Sequence, residues 1–584
     1  MPAKLRTVLG IHHDIDPSAA LVRGGKILAY SEEERHNRVK HAAYLFPSDA
    51  ILSCLQSAGL HADDVDYIAV NWDLDAYTDG RIKAFYEGMR LSFSLDDATV
   101  AWQERNLRAR HIDNYRKFLA FQWRRHISDK IAPDIISFPH HFTHAFHAYS
   151  QSKFDQALCL TLDGSGDTEC TVLWRCRNGV IEPLRQFFMP HSLGWFYAAF
   201  TEYLGFEAYD GEYKVMGMAA YGQWNEKIGE SLSQILSVDA KGGFYKIDPT
   251  FLHYGAHTFS SRYTDKIPQL FGIPPRQPFE EITSWHRDLA FCVQHKLEAA
   301  ATALVDWGIR ETGIGNICVS GGVGLNVKMN SKIFALTHVK DVFAHPLCSD
   351  NGAACGAALL GSYTLDQTPP EKLASLALGH SETSNTVRQI LMDSKICFEE
   401  IPYSELPGRV ARALADDMLV GWFQGRMEAG PRALGHRSIL ANPKNADARD
   451  RVNLVIKYRE LWRPFCPSII SKAMPSYFDK YTFSPFMIIA FDANQRLVQE
   501  APAIVHVDGT SRVQEVIEMD EPLYHALIEE FGKLTGSPVI LNTSFNVKGE
   551  PIVCTALDAL RTFFSTGLDL LAIENFIVRK GDQT

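Results

Sequence analysis

Two stretches of the chain, residues 7–30 and 158–181, repeat one pattern and constrain the fold more than any other feature. Each starts with an apolar strand and passes through a polar turn that contains aspartate. Each then continues as two strands joined by a glycine-containing turn. An internal duplication is the economical explanation, and a chance likeness between two hairpins is the alternative.

The pattern predicts an α/β fold whose N-terminal part contains two similar halves. Paired halves of this kind form the architecture of actin, sugar kinases and Hsp70, in which aspartate turns embrace nucleotide phosphates. Residues 75–130 are predicted to be largely helical, as an insertion that either shapes a substrate cleft or caps the domain. The Pro-, Ser- and Thr-rich stretch 365–385 predicts a domain boundary. We therefore expect an N-terminal domain over 1–368, a linker over 369–385 and a C-terminal α/β domain over 386–584.

Composition narrows the class of protein. A chain of 584 residues is too long for one hydrophobic core. Its net charge of −11 and its lack of basic runs disfavour a nucleic-acid partner. The eleven cysteines are scattered singly, without a C-x-x-C pair, as in a reduced cytoplasmic protein. We expect no membrane association, because no apolar run has the length of a signal peptide or a spanning helix.

Four polar residues in the N-terminal part suit a metal ion. His140 and His144 are four apart, so on a helix they share one face and can bind one ion. The strand over 157–162 delivers Asp163 into a Gly-Ser-Gly turn, and Asp350 precedes a helix of small residues. Such a set suits iron, manganese or zinc. The alternatives are hydrogen-bonded histidines on a packed helix and an N-cap role for Asp350.

Two further stretches suit an anion. Residues 210–222 are predicted to form a loop of small residues in which Lys214 either approaches an anion or lies at the surface. The strand Asn316–Ser320 leads into the glycine loop 321–324 and then a helix. Glycines let the backbone approach a ligand, and a helix N-terminus favours an anion, although glycines also serve tight turns.

The predicted C-terminal domain carries many cations on loops shaped by glycine and proline. Guanidinium groups bind phosphate in a bidentate manner, and an Asn-Thr-Ser-x-Asn loop suits a small planar group such as a urea or a carbamoyl. Salt bridges to the 69 acidic residues and a nucleic-acid surface are the alternatives. The residues concerned are Arg426, Arg432, Arg437, Lys457, Arg459, Arg463, His506, Asp508, Arg512, Asn542, Thr543, Ser544, Asn546 and Lys548.

Taken together, these motifs resemble the O-carbamoyltransferases of antibiotic, toxin and nodulation-factor biosynthesis, over nearly the whole chain. The matching stretches occur in the same order: SAALVRGGKILAYSEEER, HHFTHA, LDGSGD, KVMGMAAYG, GGVGLN, SDNGAACGAA, GRMEAGPRALGHRS, KYRELWRPF, VHVDGTSRVQ and LNTSFNVKGEPIV. The resemblance implies that carbamoyl phosphate and ATP, with Mg²⁺, form carbamoyl-adenylate in the C-terminal domain. That domain resembles the fold that makes threonylcarbamoyl-adenylate. The N-terminal domain would then pass the carbamoyl group to a hydroxyl of a small-molecule acceptor.

The resemblance also implies roles for individual residues. Those that match the family's metal ligands, with iron as the expected ion, are His140, His144, Asp163 and Asp350. The expected ligands of carbamoyl-adenylate are Lys40, His41, Lys214, Gly217, Gly321, Gly322 and Asn326. The expected ligands of carbamoyl phosphate and ATP are Arg426, Arg432, Lys457, Arg463, His506, Asp508, Arg512, Asn542, Thr543, Ser544 and Asn546.

The chain departs from the family pattern in the first aspartate turn. The family has His-Asp before the Ser-Ala-Ala of the first hairpin, whereas Ile15 precedes Asp16 here. Either His12 or His13 could replace the missing imidazole as general base, or the loop could be rebuilt. We take His13, with Asp16 and Lys40, as the expected catalytic residues.

Two other functions stay open at the level of sequence. One is a threonylcarbamoyl-adenylate-dependent tRNA modification enzyme, which the acidic charge disfavours. The other is a non-catalytic ATP-binding regulator of the sugar-kinase or Hsp70 type, which would not need the C-terminal arginines. The acceptor is open among aminoglycosides, macrocycles, cephems, guanidinium toxins and chitooligosaccharides. The oligomeric state is also open, with a homodimer among the alternatives.

Overall fold

The computed structural model describes residues 5–253, 261–460 and 462–582 as a mixed α/β protein. Within these ranges no helix has both the length and the apolar character needed to cross a bilayer. The chain forms two compact units. The first runs to His12 and takes in Val22–Lys26 and Ala62–Lys372. The second comprises His13–Leu21, Ile27–His61 and the chain from Leu373 onward.

The first repeat forms a sheet with the strand order β3-β2-β1-β4-β5. The strands are β1 Thr7–His12, β2 Ser18–Arg23, β3 Lys26–Glu32, β4 Tyr67–Val70 and β5 Asp134–Ser137. The strand β4 runs parallel to both β1 and β5. All six residues of β1 are buried, as expected for the central strand of a sheet covered on both faces.

Helices fill the long connections of this sheet. They are α1 Glu34–Asn37, α2 Ser48–Ala58, α3 Leu74–Asp79, α4 Arg81–Ser92, α5 Asp97–Ala109 and α6 Ile112–His126. The last four make the stretch predicted to be helical largely helical, and its role as an insertion stays a prediction. Its inner faces bury aromatic and aliphatic side chains, such as Tyr86 and Met89.

The second repeat forms a sheet with the strand order β12-β11-β6-β7-β8. The strands from here to the end of the repeat are β6 Gln156–Gly166, β7 Glu169–Arg177, β8 Val180–Phe188, β9 Leu236–Asp239, β10 Phe244–Ile247, β11 Asn316–Ser320 and β12 Asp341–Ala344. The strands β9 and β10 pair separately. In both sheets the first strand is flanked by a hairpin on one side and by parallel strands on the other. The matching orders confirm the predicted duplication and the actin-like architecture.

Helices of the second repeat bring the functional segments together. They are α7 His140–Gln151, α8 Leu193–Tyr203, α9 Glu212–Ala219, α10 Glu226–Ile235, α11 Lys266–Phe271, α12 Ser284–Thr312, α13 Val327–Phe334 and α14 Ala353–Asp366. The small residues of α14 let it pack closely on β1 and α7. The loop prediction for 210–222 is wrong over α9, which is helical and packs on α12.

The rest of the second unit is built on a mixed sheet with the order β13-β22-β21-β14-β15-β20-β16-β19. The strands of this part of the chain are β13 Glu399–Glu400, β14 Val420–Phe423, β15 Arg437–Ala441, β16 Cys466–Ile470, β17 Phe491–Asp492, β18 Thr510–Ser511, β19 Gln514–Val516, β20 Val539–Ser544, β21 Leu570–Ile573 and β22 Phe576–Arg579. The strands β17 and β18 pair separately. The helices are α15 Ser384–Asp393, α16 Leu406–Ala415, α17 Ala448–Val452, α18 Gln495–Glu500, α19 Pro522–Thr535 and α20 Ala556–Ser565. The helix α19 packs on α16 and on the strands β16 and β20.

Candidate active site

The four side chains predicted as metal ligands converge at one point of the first unit. The Nε2 atoms of His140 and His144 lie 3.1 Å apart. Asp350 Oδ1 lies 3.3 and 3.4 Å from these two atoms, and Asp163 Oδ2 lies 3.7 and 3.3 Å from them. Two ligands that bind one ion at ~2.1 Å are roughly 3.0 to 3.6 Å apart. The donor set therefore fits a single transition-metal ion.

The helix α7 presents the two histidines. His140 is its first residue and His144 lies one turn later on the same face, and both side chains are fully buried. The carboxylate of Asp167 accepts a hydrogen bond of 2.9 Å from the backbone N–H of His140 and so satisfies the helix start. A Cβ atom on Gly166 would lie 2.2 Å from the His140 ring, so only glycine fits there.

Both aspartate ligands lie where the backbone departs from regular strand or α-helix geometry. Asp163 lies in β6 where its pairing with β7 shifts register, and it accepts N–H groups from Gly164 at 2.7 Å and Gly322 at 3.2 Å. Asp350 opens the 3₁₀ turn that leads into α14. Both carboxylates are thereby aimed at the histidines.

The protonation of the cluster follows from its charges. Burial lowers the pKa of His140 and His144, but the carboxylates of Asp350 and Asp163 outweigh burial and raise both. Burial raises the pKa of the two carboxyls, but the histidines outweigh it and lower both. Two negative and two positive charges are thus balanced, and a divalent ion can take the place of the two protons.

Metal affinity at this cluster is therefore expected to rise with pH. The pKa values of His140 and His144 are raised, so protons compete with metal for these rings at neutral pH. This competition weakens as the pH rises. Each proton displaced should change the apparent zinc affinity by about tenfold per pH unit. A zinc titration against a chelating dye between pH 6 and 8.5 measures this slope. An affinity that stays constant over that range would contradict the protonation described.

The helical insertion reaches this cluster. The Trp72 ring lies 4.8 Å from the His140 ring, and the Arg110 guanidinium lies 3.6 Å above the Trp72 ring as a cation–π contact. Arg110 also donates to the Tyr77 hydroxyl at 3.2 Å. No sequence motif marked Trp72 or Arg110. The signal available was an aromatic residue two positions after the end of a strand.

Hydroxyl groups contact both His141, which is not a predicted ligand, and the ligand His144. His141 Nδ1 lies 2.9 Å from Thr161 Oγ1, and burial together with the charge of His140 lowers the pKa of His141 to about 3. His141 is therefore neutral and bound to β6. On the other side of the ligand pair, Ser320 Oγ lies 3.4 Å from His144 Nδ1.

The predicted glycine loop adjoins the metal-ligand cluster. Gly321 has a φ of +85°, in the left-handed region that favours glycine, and a Cβ there would lie 2.1 Å from the Leu162 carbonyl oxygen. The next N–H, that of Gly322, donates to Asp163. The loop therefore places backbone that carries no side chains next to the metal ligands.

The other predicted adenylate ligands of this unit have structural partners. Lys214 and Gly217 lie in α9, and Lys214 Nζ is 3.5 Å from the Asp210 carboxylate. Asn326 caps α13 by accepting the Met329 N–H at 2.9 Å, and its amide also bonds to Gln294. Their adenylate-binding roles stay predictions.

The second unit holds the segment with the predicted catalytic residues His13, Asp16 and Lys40, and also His41. The structure joins Asp16 to His41 through an Oδ1–Nδ1 distance of 2.7 Å, and the His41 N–H donates to Glu34 at 2.8 Å. Asp16 and His41 have φ values of 59° and 64°, which few residues other than glycine adopt. A carboxylate that orients an imidazole is typical of general-base sites.

The second unit contains a cluster of polar groups centred on a buried lysine, Lys457. Lys457 Nζ donates to Asn546 Oδ1 at 2.7 Å, to Ser544 Oγ at 3.2 Å and to the backbone carbonyls of both residues. Burial, followed by the charges of Arg459 and Arg463, lowers the pKa of Lys457. A bound anion would favour its charged form, so the position suits phosphate.

More of the predicted phosphate ligands lie at the same end of the sheet. Asn542 pairs with Cys466 across β20 and β16, and its Nδ2 donates at 3.1 Å to the carbonyl of Ala433, the neighbour of Arg432. Arg512 Nε lies 2.9 Å from Cys466 Sγ. The backbone of Ala433 and the side chains of Arg512 and Asn542 therefore meet at β16 and β20.

Other predicted ligands hold the local backbone. Arg426 donates to the backbone carbonyls of three residues that are distant in sequence, Leu28, Leu378 and Gly379. His506 and Asp508 both bond to Thr510, at 3.2 Å and 2.7 Å to its hydroxyl. Thr543 lies within β20. Phosphate binding by these residues stays a prediction.

Arg437 has a structural role in this domain. It is fully buried, its NH1 and NH2 groups donate to backbone carbonyls, and its guanidinium lies 3.6 Å above the Phe423 ring. Replacing it by methionine leaves those carbonyls unpaired, so we expect a loss of roughly 3 kcal/mol in the free energy of unfolding. Urea unfolding measures the loss. The matched exposed variant Arg496→Met should change the value by under about 1 kcal/mol, and an equal change in both would contradict the role.

Comparison with known proteins identifies the family. Models described as carbamoyltransferase N-terminus and carbamoyltransferase C-terminus match residues 7–359 and 411–580. The uncharacterized protein sll1178 of Synechocystis sp. is 36% identical over 99% of this chain and 97% of its own length. Nodulation protein NolNO of Sinorhizobium fredii is 34% identical over 97% of this chain and 79% of its own length.

The similarity to solved structures is weak. HypF of T. kodakarensis shares 15% identity, with a TM-score of 0.32 over 63% of this chain and 49% of that chain. The two domain models and the full-length relatives confirm the resemblance seen in the motifs. The chain therefore belongs to the carbamoyltransferase family and is a transferase enzyme.

Proposed function

We propose that the chain is an O-carbamoyltransferase that works in two steps. Carbamoyl phosphate and ATP, as its Mg²⁺ complex, first form carbamoyl-adenylate in the C-terminal domain. The carbamoyl group then passes to a hydroxyl of a small-molecule acceptor in the N-terminal domain. One observation carries the proposal: each of the two family domains contains one buried polar cluster of suitable chemistry. These are the lysine-centred cluster at β20 and the two-histidine, two-aspartate cluster at α7.

The first step builds up negative charge that the lysine-centred cluster is suited to stabilise. Water first hydrolyses carbamoyl phosphate to carbamate and inorganic phosphate. A carbamate oxygen then forms a bond to the α-phosphorus of ATP, and pyrophosphate leaves. Lys457, Arg432 and Arg512 are assigned to the phosphate oxygens, where fixed cations lower the barrier. Ser544 and Asn542 are assigned to the carbamoyl group, whose amide and carbonyl need one acceptor and one donor.

The second step takes place at the metal-ligand cluster. His140, His144, Asp163 and Asp350 would hold the ion, for which we propose iron, and the bound ion would supply a Lewis acid to the carbamoyl carbonyl. The acceptor oxygen forms a bond to the carbamoyl carbon, the bond to the phosphate oxygen breaks, and AMP leaves. The hydroxyl proton goes to a base.

Acceptor-dependent release of AMP tests this proposal. Purified protein is supplied with carbamoyl phosphate, Mg-ATP and a panel of hydroxyl-bearing natural products, including aminoglycosides and chitooligosaccharides. We expect AMP and a carbamoylated product to appear together for the true acceptor. AMP formed with threonine and bicarbonate, and not with carbamoyl phosphate, would instead indicate threonylcarbamoyl chemistry. No turnover of ATP with any of them would favour a binding protein.

A further inference from the structure

The side chain of Asn71 joins two histidines at the metal-ligand cluster. His12 ends β1 and Asn71 directly follows β4, and these strands pair in parallel with Ile11 opposite Val70. Asn71 is fully buried, and His12 is buried as well. The Oδ1 atom of Asn71 lies 3.1 Å from His12 Nδ1, and its Nδ2 atom lies 3.0 Å from His140 Nδ1.

The bridge leads from one metal ligand towards another. The far nitrogen of the His12 ring, Nε2, lies 4.0 Å from Asp350 Oδ2. His140 and Asp350 both belong to the ligand set. Hydrogen bonds link His140 through Asn71 to His12, and the far side of the His12 ring faces Asp350 at a distance too long for a hydrogen bond. All four residues lie in the first unit.

The direction of each hydrogen bond determines which protonation state of His140 fits the Asn71 amide. As placed, the amide N–H of Asn71 donates to Nδ1 of His140, which suits a neutral ring with its hydrogen on Nε2. A histidine that binds metal through Nε2 carries its hydrogen on Nδ1 instead, and so does a doubly protonated ring. In both of these states, Nδ1 of His140 is a donor and faces the wrong end of the amide.

A half turn of the amide about its Cβ–Cγ bond corrects this mismatch without moving a neighbour. Oδ1 of Asn71 then accepts from Nδ1–H of His140, and Nδ2–H donates to Nδ1 of His12. The Nδ1 atom of His12 must now lack hydrogen. A neutral His12 therefore carries its hydrogen on Nε2, the nitrogen that faces Asp350.

We propose that Asn71 and His12 are positioning residues of the metal centre. In the metal-loaded protein, Asn71 accepts from His140, fixes the tautomer of that ligand, and holds His12 as a donor directed at Asp350. Hydrogen bonds of this kind orient metal ligands and raise their basicity. The proposal rests on the proposed function only in treating the cluster as the metal centre. It makes His12 a donor, and so leaves the general-base role to another residue.

Metal titration tests the role of Asn71 without any substrate. Three variants of the full chain are compared with the parent: Asn71→Leu, Asn71→Asp and the control Gln151→Leu. Leucine has similar size but cannot accept, whereas aspartate keeps an oxygen for Nδ1–H of His140. Gln151 is a buried amide on α7, the helix that carries both histidine ligands. It bonds to His345 at 2.8 Å, away from the ligand set. Apparent affinities for Co²⁺ and Zn²⁺ and the Co²⁺ absorption spectrum are the readouts.

The expected ranking distinguishes positioning from packing. Asn71→Leu should weaken metal binding by about 10- to 100-fold, whereas Asn71→Asp and Gln151→Leu should stay close to the parent. Thermal unfolding of the metal-free proteins shows whether each variant is folded. Parental affinity in folded Asn71→Leu would overturn the proposal, as would an equal loss in Asn71→Asp and Asn71→Leu.

Neutron diffraction from zinc-loaded crystals of the parent protein tests the hydrogens directly. We expect deuterium on Nδ1 of His140 and on Nε2 of His12. Deuterium on Nδ1 of His12 would overturn the assignment of the His12 hydrogen to Nε2, the nitrogen that faces Asp350. Neither measurement requires carbamoyl transfer, so failure of the proposed reaction and failure of this inference are distinguishable.

Discussion

Replacing Lys457 by methionine is expected to lower carbamoyl phosphate-dependent release of pyrophosphate by about a thousandfold. Methionine keeps most of the length of the side chain but removes the ammonium group that Ser544 and Asn546 surround. Under the proposed function, this group stabilises the charge that develops as carbamate attacks ATP. Initial rates of pyrophosphate release at saturating ATP measure the effect.

The matched control is Lys472→Met. Lys472 lies in the same unit, is exposed and pairs with Glu529, so its loss should leave the rate within about twofold because exposed pairs contribute little. Near-parental pyrophosphate release in a folded Lys457→Met protein would remove Lys457 from the proposed site.

Replacing His144 by glutamine is expected to separate the two steps. Glutamine fills a similar volume but does not supply the imidazole Nε2 that lies between Asp163 and Asp350. Metal content should fall from about one ion per chain to near zero, and transfer to the acceptor should fall by about a thousandfold, since Lewis-acid polarisation contributes several kcal/mol. Pyrophosphate release without acceptor should stay near the parental rate. Metal analysis and separate assays of the two steps measure these effects.

His147→Gln serves as the control for that variant. His147 is buried on the same helix, three residues after His144, and its ring packs on His345 at a centroid distance of 3.8 Å. It should retain the metal and both activities. If pyrophosphate release fell together with transfer in His144→Gln alone, the assignment of the two steps to separate clusters would be contradicted.

The metal ligands could be predicted from the sequence because their geometry is mostly local. The i, i+4 spacing of His140 and His144 places them on one helix face whatever surrounds the helix. The strand before Asp163 and the small residues after Asp350 indicated where each carboxylate would emerge. Convergence of the three segments follows from the duplicated fold, which the repeat pattern predicted without giving the strand order.

The bridge through Asn71 could not be predicted in the same way. It depends on the register between β1 and β4, which pairs Ile11 with Val70 and so places His12 beside Asn71. Register between parallel strands is set by packing on both faces and leaves no short motif in the sequence. The contact of Asp16 with His41 is non-local for the same reason, since 25 residues separate them.

The prediction from local propensity was also wrong at α9. The stretch contains glycines and small residues that favour a loop, yet residues 212–219 are helical. Packing on the long helix α12 supplies the stabilisation that propensity lacks. The arginines between residues 425 and 438 show a similar limit. Arg437 is fully buried and donates to backbone carbonyls, which its residue type alone did not indicate.

Formation of pyrophosphate from ATP, with and without carbamoyl phosphate, tests the central claim most directly. The assay uses the purified full-length chain and Mg-ATP, with no acceptor present. We predict release of pyrophosphate that requires carbamoyl phosphate and is not replaced by inorganic phosphate. Release that is independent of carbamoyl phosphate, or its absence in a folded, metal-loaded protein, would contradict the proposed formation of carbamoyl-adenylate.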